Sequence, residues 1–133
     1  MKHQLIRTKK FALGLVLLSL FATGCNPSDA RIQQLMVGTW DIDQGDGVHG
    51  TLMIAPDGNF KSQFTGYRGG HTVILDGTGF IKDGVWVETI TKNNTTNAVP
   101  RVSHNRIVHV NAHDYVIRPD GDLFDVVANK VEN

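Results

Sequence analysis

Three histidines close together in the sequence, His104, His109 and His113, are the first side chains that could do chemistry. Imidazole nitrogens bind zinc and other transition metals, and they titrate near neutral pH. Spacing by four would bring two of them onto one face of a helix, but this part of the chain alternates as a strand followed by a turn does. The pattern therefore favours solvent-facing histidines over a metal site.

Cys25 is the only cysteine of the 133 residues, so no intramolecular disulfide can form. The chain before it is basic at its start and then apolar: Lys2, Arg7, Lys9 and Lys10 precede an uncharged run over residues 11–21. A basic start followed by a short apolar run is the arrangement of a secretory signal. The run is too short to be a spanning helix, which needs about 20 apolar residues.

The tetrapeptide Ala22-Thr-Gly-Cys25 resembles the lipobox of bacterial lipoproteins, in which the cysteine is acylated and the chain is cleaved just before it. The resemblance implies a signal peptide over residues 1–24, lipidation of Cys25 and a tether over residues 25–30. Palmitate-like acyl chains, at about 0.8 kcal/mol per buried methylene, would hold the protein on a membrane of the cell envelope. Because Asn26 stands where an Asp would retain a lipoprotein at the inner membrane, we expect the outer membrane, facing the periplasm or the surface, if the source has two membranes.

The residues after the signal form one small domain, expected over residues 31–133. Four of the 13 Lys and Arg residues lie in the signal, which leaves nine against 13 acidic residues and a net charge of −4. A mildly acidic domain without a basic cluster argues against a nucleic-acid partner. Since no disulfide is possible, its stability has to come from an apolar core.

From Val37 onward, apolar and polar residues alternate, and Gly, Asn and Asp mark the turns. The pattern predicts a helix over residues 31–36, a polar loop over 93–103, and strands over 39–43, 50–55, 60–64, 72–75 with 78–82 (one strand or a bent pair), 85–91, 106–110, 115–118 and 123–127. Seven or eight short antiparallel strands with no long helix between them predict an all-β fold. A small up-and-down barrel is favoured because closure leaves no exposed sheet edge.

The segment Val37-Gly-Thr-Trp40, at the end of a short helix and the start of a meander, resembles the Gly-x-Trp entry of lipocalin-like domains. The spacing to residues 52–60 and 79–85 is similar to that of small bacterial lipocalin-like lipoproteins, and the resemblance covers nearly the whole mature chain. It implies that Trp40 closes one end of the barrel. The chain is shorter than typical ligand-carrying lipocalins, so we expect a small interior.

The resemblance also implies that a late arginine packs near Trp40, and either Arg106 or Arg118 is in a position to do so. The large aromatic residues are expected in the core: Trp40, Phe60, Phe64, Phe80, Trp86 and Phe124.

Neither a Gly-x-Ser-x-Gly nor a His-Glu-x-x-His motif is present. We therefore expect a non-enzymatic envelope lipoprotein without a cofactor, which binds a small apolar ligand or another envelope protein. One alternative is a protein inhibitor, similar in size and address to periplasmic lysozyme inhibitors, or an immunity-type protein. The other is a metal-assisted enzyme that uses His104, His109 and His113.

Overall fold

A computed structural model of the protein describes residues 27–67 and 69–132, in which one short helix precedes eight strands. The helix α1 spans Pro27–Met36, and the strands β1 to β8 span Gly38–Gly45, Val48–Ile54, Asn59–Thr65, Val73–Lys82, Val85–Asn93, Arg101–Val110, Asp114–Pro119 and Val126–Lys130. Each strand pairs antiparallel with the next, and β8 pairs with β1, so the sheet closes. The predicted antiparallel up-and-down barrel with an N-terminal helix is thereby confirmed. The predicted signal peptide and Cys25 lie outside the described residues.

Several element boundaries differ from the prediction. Helix α1 begins at Pro27, inside the segment expected to be a tether, and β4 is one continuous strand, whose register with β5 shifts between Asp76 and Gly77. The polar loop ends at residue 100, because Arg101 already pairs with β5. The last strand lies three residues later than predicted, at Val126–Lys130, where Ala128 turns into the core.

Inward-facing glycines make room for aromatic rings in this small barrel. A Cβ added to any of three glycines would collide with an aromatic ring; the pairs are Gly50 with Phe64, Gly77 with Phe60, and Gly79 with Trp86. Heavy atoms this close would overlap, so either the ring or the strand would have to shift from its packed position. Glycine at these positions is what allows the large rings to fit inside.

Trp40 closes one end of the barrel, as expected. The ring is fully buried, and its Nε1 donates a hydrogen bond to the Met36 carbonyl at 2.8 Å. Tyr115 meets the ring edge to face, with 4.7 Å between ring centroids. The last turn of α1 is thus joined directly to the floor of the barrel.

The expectation that Arg106 or Arg118 packs near Trp40 is wrong. The cation over the ring is Lys130, whose Nζ lies 4.9 Å from the ring centroid. The physical reason is barrel closure, since the pairing of β1 with β8 places Lys130 directly opposite Trp40. Arg118 instead forms a two-pronged ion pair with Asp125, with nitrogen–oxygen distances of 2.7 and 3.2 Å.

Side-chain acceptors on α1 hold the helix across this end of the barrel. The Asp29 carboxylate, only 3% exposed, accepts hydrogen bonds from the backbone N–H groups of Asp83 at 2.8 Å and Gly84 at 3.0 Å. One turn further on, the Gln33 side chain accepts a bond from the Ile81 N–H at 2.8 Å. These three bonds tie α1 to the end of β4 and to the turn between β4 and β5.

Four of the six aromatic residues predicted for the core are buried: Trp40, Phe60, Phe64 and Trp86. Phe80 is 52% exposed, because its neighbours Gly79 and Ile81 face inward and strand alternation turns Phe80 outward. Phe124 is 81% exposed, because it lies in the connection between β7 and β8 and not in a strand. The core placement of these two residues is wrong.

Replacing Asp29 by Ala is expected to lower the free energy of unfolding by about 1–3 kcal/mol, because two backbone N–H groups lose their acceptor. Urea unfolding followed by tryptophan fluorescence measures the change. Asp41→Ala, on the exposed face of β1, is the matched control and should stay within about 0.5 kcal/mol of the wild type. Equal stability of D29A and the wild type would show that these bonds do not hold α1 in place.

Candidate functional site

The barrel interior contains a cavity of about 210 Å³. Its exposed lining residues, Gln44, Tyr67 and Arg101, come from the ends of β1, β3 and β6 that lie away from α1, while Met36 of α1 lies at the other end. The cavity therefore opens at the end opposite the helix. The Tyr67 hydroxyl donates a hydrogen bond to the Gln44 side chain at 3.0 Å, which links two strand ends at this mouth.

The size of the cavity limits what can enter it. Pockets for drug-sized ligands measure about 300–1,000 Å³. An engineered cavity of about 150 Å³ in another protein admits benzene. At about 210 Å³, this interior can take a single ring with a short substituent.

The walls of the cavity are largely apolar and aromatic. The apolar residues that line it are Met36, Ile42, Leu52, Phe60, Phe64, Leu75, Trp86, Ile90, Ile117, Pro119 and Val126. Phe60 and Trp86 meet edge to face, with 6.4 Å between their centroids. Such a surface favours the less polar part of any molecule that enters.

Glu88 brings a carboxylate into this apolar interior. It lies on β5 between two buried residues of the same face, Trp86 and Ile90, and it accepts a hydrogen bond from the Trp86 Nε1 at 3.1 Å. Burial raises the pKa of Glu88 above its ordinary value of 4.5, against the opposing effects of the Trp86 hydrogen bond, of Asn105 and Ser103 and of the charge on Arg101. No cationic nitrogen of the described residues lies within ion-pair distance of this carboxylate.

The Tyr115 hydroxyl is the second unusual group in the cavity wall. Tyr115 is fully buried, and within the described part of the chain its hydroxyl has no hydrogen-bond partner. Burial and, to a smaller extent, the negative charge of Glu88 raise the pKa of Tyr115 well above its ordinary value of 10.0, so the group stays protonated. A buried polar group without a partner costs about 1–3 kcal/mol, and in a native protein it calls for an explanation.

Two further polar side chains complete the site. Ser62 and Asn105 are each only 5% exposed, and both line the cavity. Together with Glu88 and Tyr115 they form what we call the polar cluster, with its members on β3, β5, β6 and β7. The pairing of β5 with β6 places Asn105 opposite Trp86, which lies on the same face of β5 as Glu88, and this brings Asn105 close to Glu88.

The predicted histidines lie elsewhere. His104 is exposed on β6, His109 lies 3.1 Å from the Asp114 carboxylate, and His113 lies 3.9 Å from Glu132. None of the three lines the cavity. Over residues 27–67 and 69–132, no group of three or more His, Cys, Asp or Glu side chains is placed to hold a metal ion, so the structure does not gather the histidines into one site.

The polar cluster was missed by sequence reasoning, although one signal for it was present. In residues 85–91 a strand period of two puts Glu88 on the same face as Trp86 and Ile90. A charged residue on an otherwise apolar strand face indicates either an exposed strand or a functional interior. Tyr115 carried no comparable signal, because an aromatic residue on a buried strand face is ordinary.

The fold and the site define a small antiparallel barrel with a closed end, an open mouth and a polar cluster inside an apolar cavity. A scan against protein-family models and a search of the curated proteins found no match for this chain. None of the helical segments in the described part of the chain is long and apolar enough to cross a membrane.

Tyr115→Phe is expected to raise the free energy of unfolding by about 1 kcal/mol, because it removes a buried hydroxyl without a partner and keeps the ring that packs on Trp40. Chemical unfolding of the ligand-free protein measures the change. Tyr67→Phe is the control, since its hydroxyl is bonded at the exposed mouth, and this variant should be unchanged or slightly less stable. A clear loss of stability in Y115F would mean that its hydroxyl is already satisfied in the free protein.

Proposed function

We propose that this protein is a lipid-anchored, non-enzymatic lipoprotein of the bacterial cell envelope that binds a small ligand inside its barrel. The observation that carries the proposal is the cavity of about 210 Å³, in which apolar walls surround the polar cluster. Apolar cavities with a few convergent polar groups are the usual form of small-molecule sites. The similarity of the Gly-x-Trp segment to lipocalin-like domains also supports binding of a small ligand.

The position of α1 suits an anchor at Cys25. The helix begins at Pro27, two residues after this cysteine, and Asp29 is bound to the turn between β4 and β5 at the closed end. A lipid on Cys25 would therefore hold the closed end toward the membrane, and the mouth of the cavity would face away from it. Ligands would enter from the aqueous side.

The dimensions of the cavity narrow the expected ligand class. A purely apolar ligand would make no polar interaction with Glu88 or Tyr115, although both residues line the cavity. A molecule with one apolar ring or short chain and one polar group matches both parts of the wall. We therefore propose a small ligand of mixed polarity.

A protein partner is the second candidate, favoured by an exposed apolar pair at the mouth end of the barrel. Leu123 is 89% exposed and Phe124 is 81% exposed, both in the connection between β7 and β8. Large apolar side chains held in water by a short connection are typical of contact residues. Inhibition of an envelope hydrolase such as lysozyme would be one form of this function.

Cys25→Ala is expected to abolish incorporation of a labelled fatty acid and to move the protein from the membrane fraction to the soluble fraction. The physical reason is that the acyl chains supply the membrane affinity. Labelling in a bacterial expression host followed by fractionation measures both effects. Asn26→Gln, next to the cysteine, is the control and should still be labelled. A C25A protein that remained lipid-labelled would overturn the proposed anchor.

Benzyl alcohol is expected to bind the mature domain, with amide shifts in NMR spectra concentrated on residues that line the cavity. Leu75→Phe should abolish these shifts, because Leu75 lines the cavity and a larger side chain fills it. Ile74→Phe, on the neighbouring position that is 45% exposed, is the matched control and should leave binding intact.

If the folded wild type admitted no single-ring probe, the proposed interior site would be wrong. The exposed Leu123–Phe124 pair would then favour the second candidate function, binding of a protein partner. A lysozyme-inhibition assay that compares the wild type with L123S/F124S tests that function directly.

A further inference from the structure

We propose that the interior site selects small organic cations, with Glu88 as the counter-charge and the surrounding aromatic rings as the cage. The expected ligands are single-ring or short-chain amines and alkylammonium ions. This inference rests on the proposed interior binding site and specifies the chemistry that the site recognises.

The first support is the unpaired carboxylate. Glu88 lines the cavity, and its hydrogen-bond partners are neutral: the indole N–H of Trp86 at 3.1 Å and the side chains of Asn105 and Ser103. Charged groups removed from water are normally paired with an opposite charge, because desolvation alone disfavours the ionised form. The raised pKa of Glu88 reflects the loss of hydration without an opposite charge, and a bound cation would supply that charge.

The second support is the composition of the walls. Four aromatic residues line the interior, Phe60, Phe64, Trp86 and Tyr115, and Tyr67 stands at the mouth. The faces of aromatic rings attract cations, most strongly those of Trp, and the attraction grows when the cation is desolvated. Aromatic rings beside one carboxylate form a surface that suits an ammonium group better than a neutral polar group.

The third support is the Tyr115 hydroxyl. It is buried and has no partner among the described residues, and Tyr115 lines the same cavity as Glu88. Its oxygen can accept a hydrogen bond from an ammonium N–H, while a second N–H of the same group donates to the Glu88 carboxylate. The oxygens of Ser62 and Asn105 provide further acceptors nearby.

Three other titratable groups line the cavity around Glu88. Tyr115 on β7 stays neutral, and Tyr67 after β3 has its pKa raised by burial, so neither adds charge near pH 7. Arg101 on β6 is exposed at the mouth, where water weakens its charge, although that charge still lowers the pKa of Glu88. Glu88 is the one acidic side chain among the described residues that line the cavity, and the net charge of −4 after removal of the signal favours the approach of cations.

The test compares benzylamine with benzyl alcohol, two probes of nearly equal size that differ in charge at pH 7. The wild-type mature domain should bind benzylamine at least about tenfold more tightly than benzyl alcohol, measured by NMR titration or calorimetry. Glu88→Gln should remove this preference while benzyl alcohol still binds. Glu132→Gln, the matched change at a glutamate whose side chain is 87% exposed, should keep the preference.

A pH series on the wild type provides the second measurement and does not depend on the variant folding. Benzylamine stays protonated on acidification, as a lysine side chain does. The preference for benzylamine should decline as the pH falls through the raised pKa of Glu88, because protonation removes the counter-charge.

Four results would overturn the inference, and they are distinguishable from one another. Equal affinity for the two probes in the wild type, or an undiminished preference in E88Q, would refute cation selection and leave the interior site standing. A preference for the amine that persists unchanged at low pH would do the same. Failure of both probes to bind the folded wild type would refute the interior site as well.

Discussion

The pairing of β1 with β8 turns a meander of short strands into a closed barrel, and the interior exists only because of it. This contact places Lys130 opposite Trp40 and Ala128 opposite Ile42, so that the last strand completes the wall around the floor of the barrel. Closure also satisfies the backbone groups that an open sheet would leave along both edges. Water is thereby kept from the core, and in this low dielectric the electrostatic interactions of the few interior polar groups are stronger than in water.

Eight short strands enclose little volume. Packed side chains occupy part of it, and a cavity occupies the rest. Glycines on β2 and β4 admit aromatic rings that a Cβ would displace. Trp40 and Tyr115 fill the closed end, where α1 is attached by Asp29 and Gln33. The remaining space reaches from Met36 and Tyr115 to Arg101 at the mouth, and the polar cluster lines it. Packing at the closed end provides stability, while the open end remains available for binding.

Two members of the polar cluster are groups whose burial is unfavourable in the absence of a partner. Glu88 loses hydration without gaining an ion pair, and the Tyr115 hydroxyl has no partner among the described residues. A core built only for stability would carry apolar side chains at these positions. Buried polar groups without partners are expected at sites where a ligand supplies the missing partner. Glu88 and Tyr115 line the same cavity, as that explanation requires.

By itself, the sequence determined the alternating pattern, the turns and the burial of Trp40, Phe60, Phe64 and Trp86, because these depend on local periodicity and side-chain size. These features were sufficient to predict the closed antiparallel barrel. The tertiary structure alone decided the strand pairings, and with them that Lys130 and not an arginine covers Trp40, that Phe80 and Phe124 face water, and that Glu88 and Tyr115 share a cavity. The physical reason is that register across the closing strands joins residues far apart in the chain, and a period of two cannot reveal which of them meet.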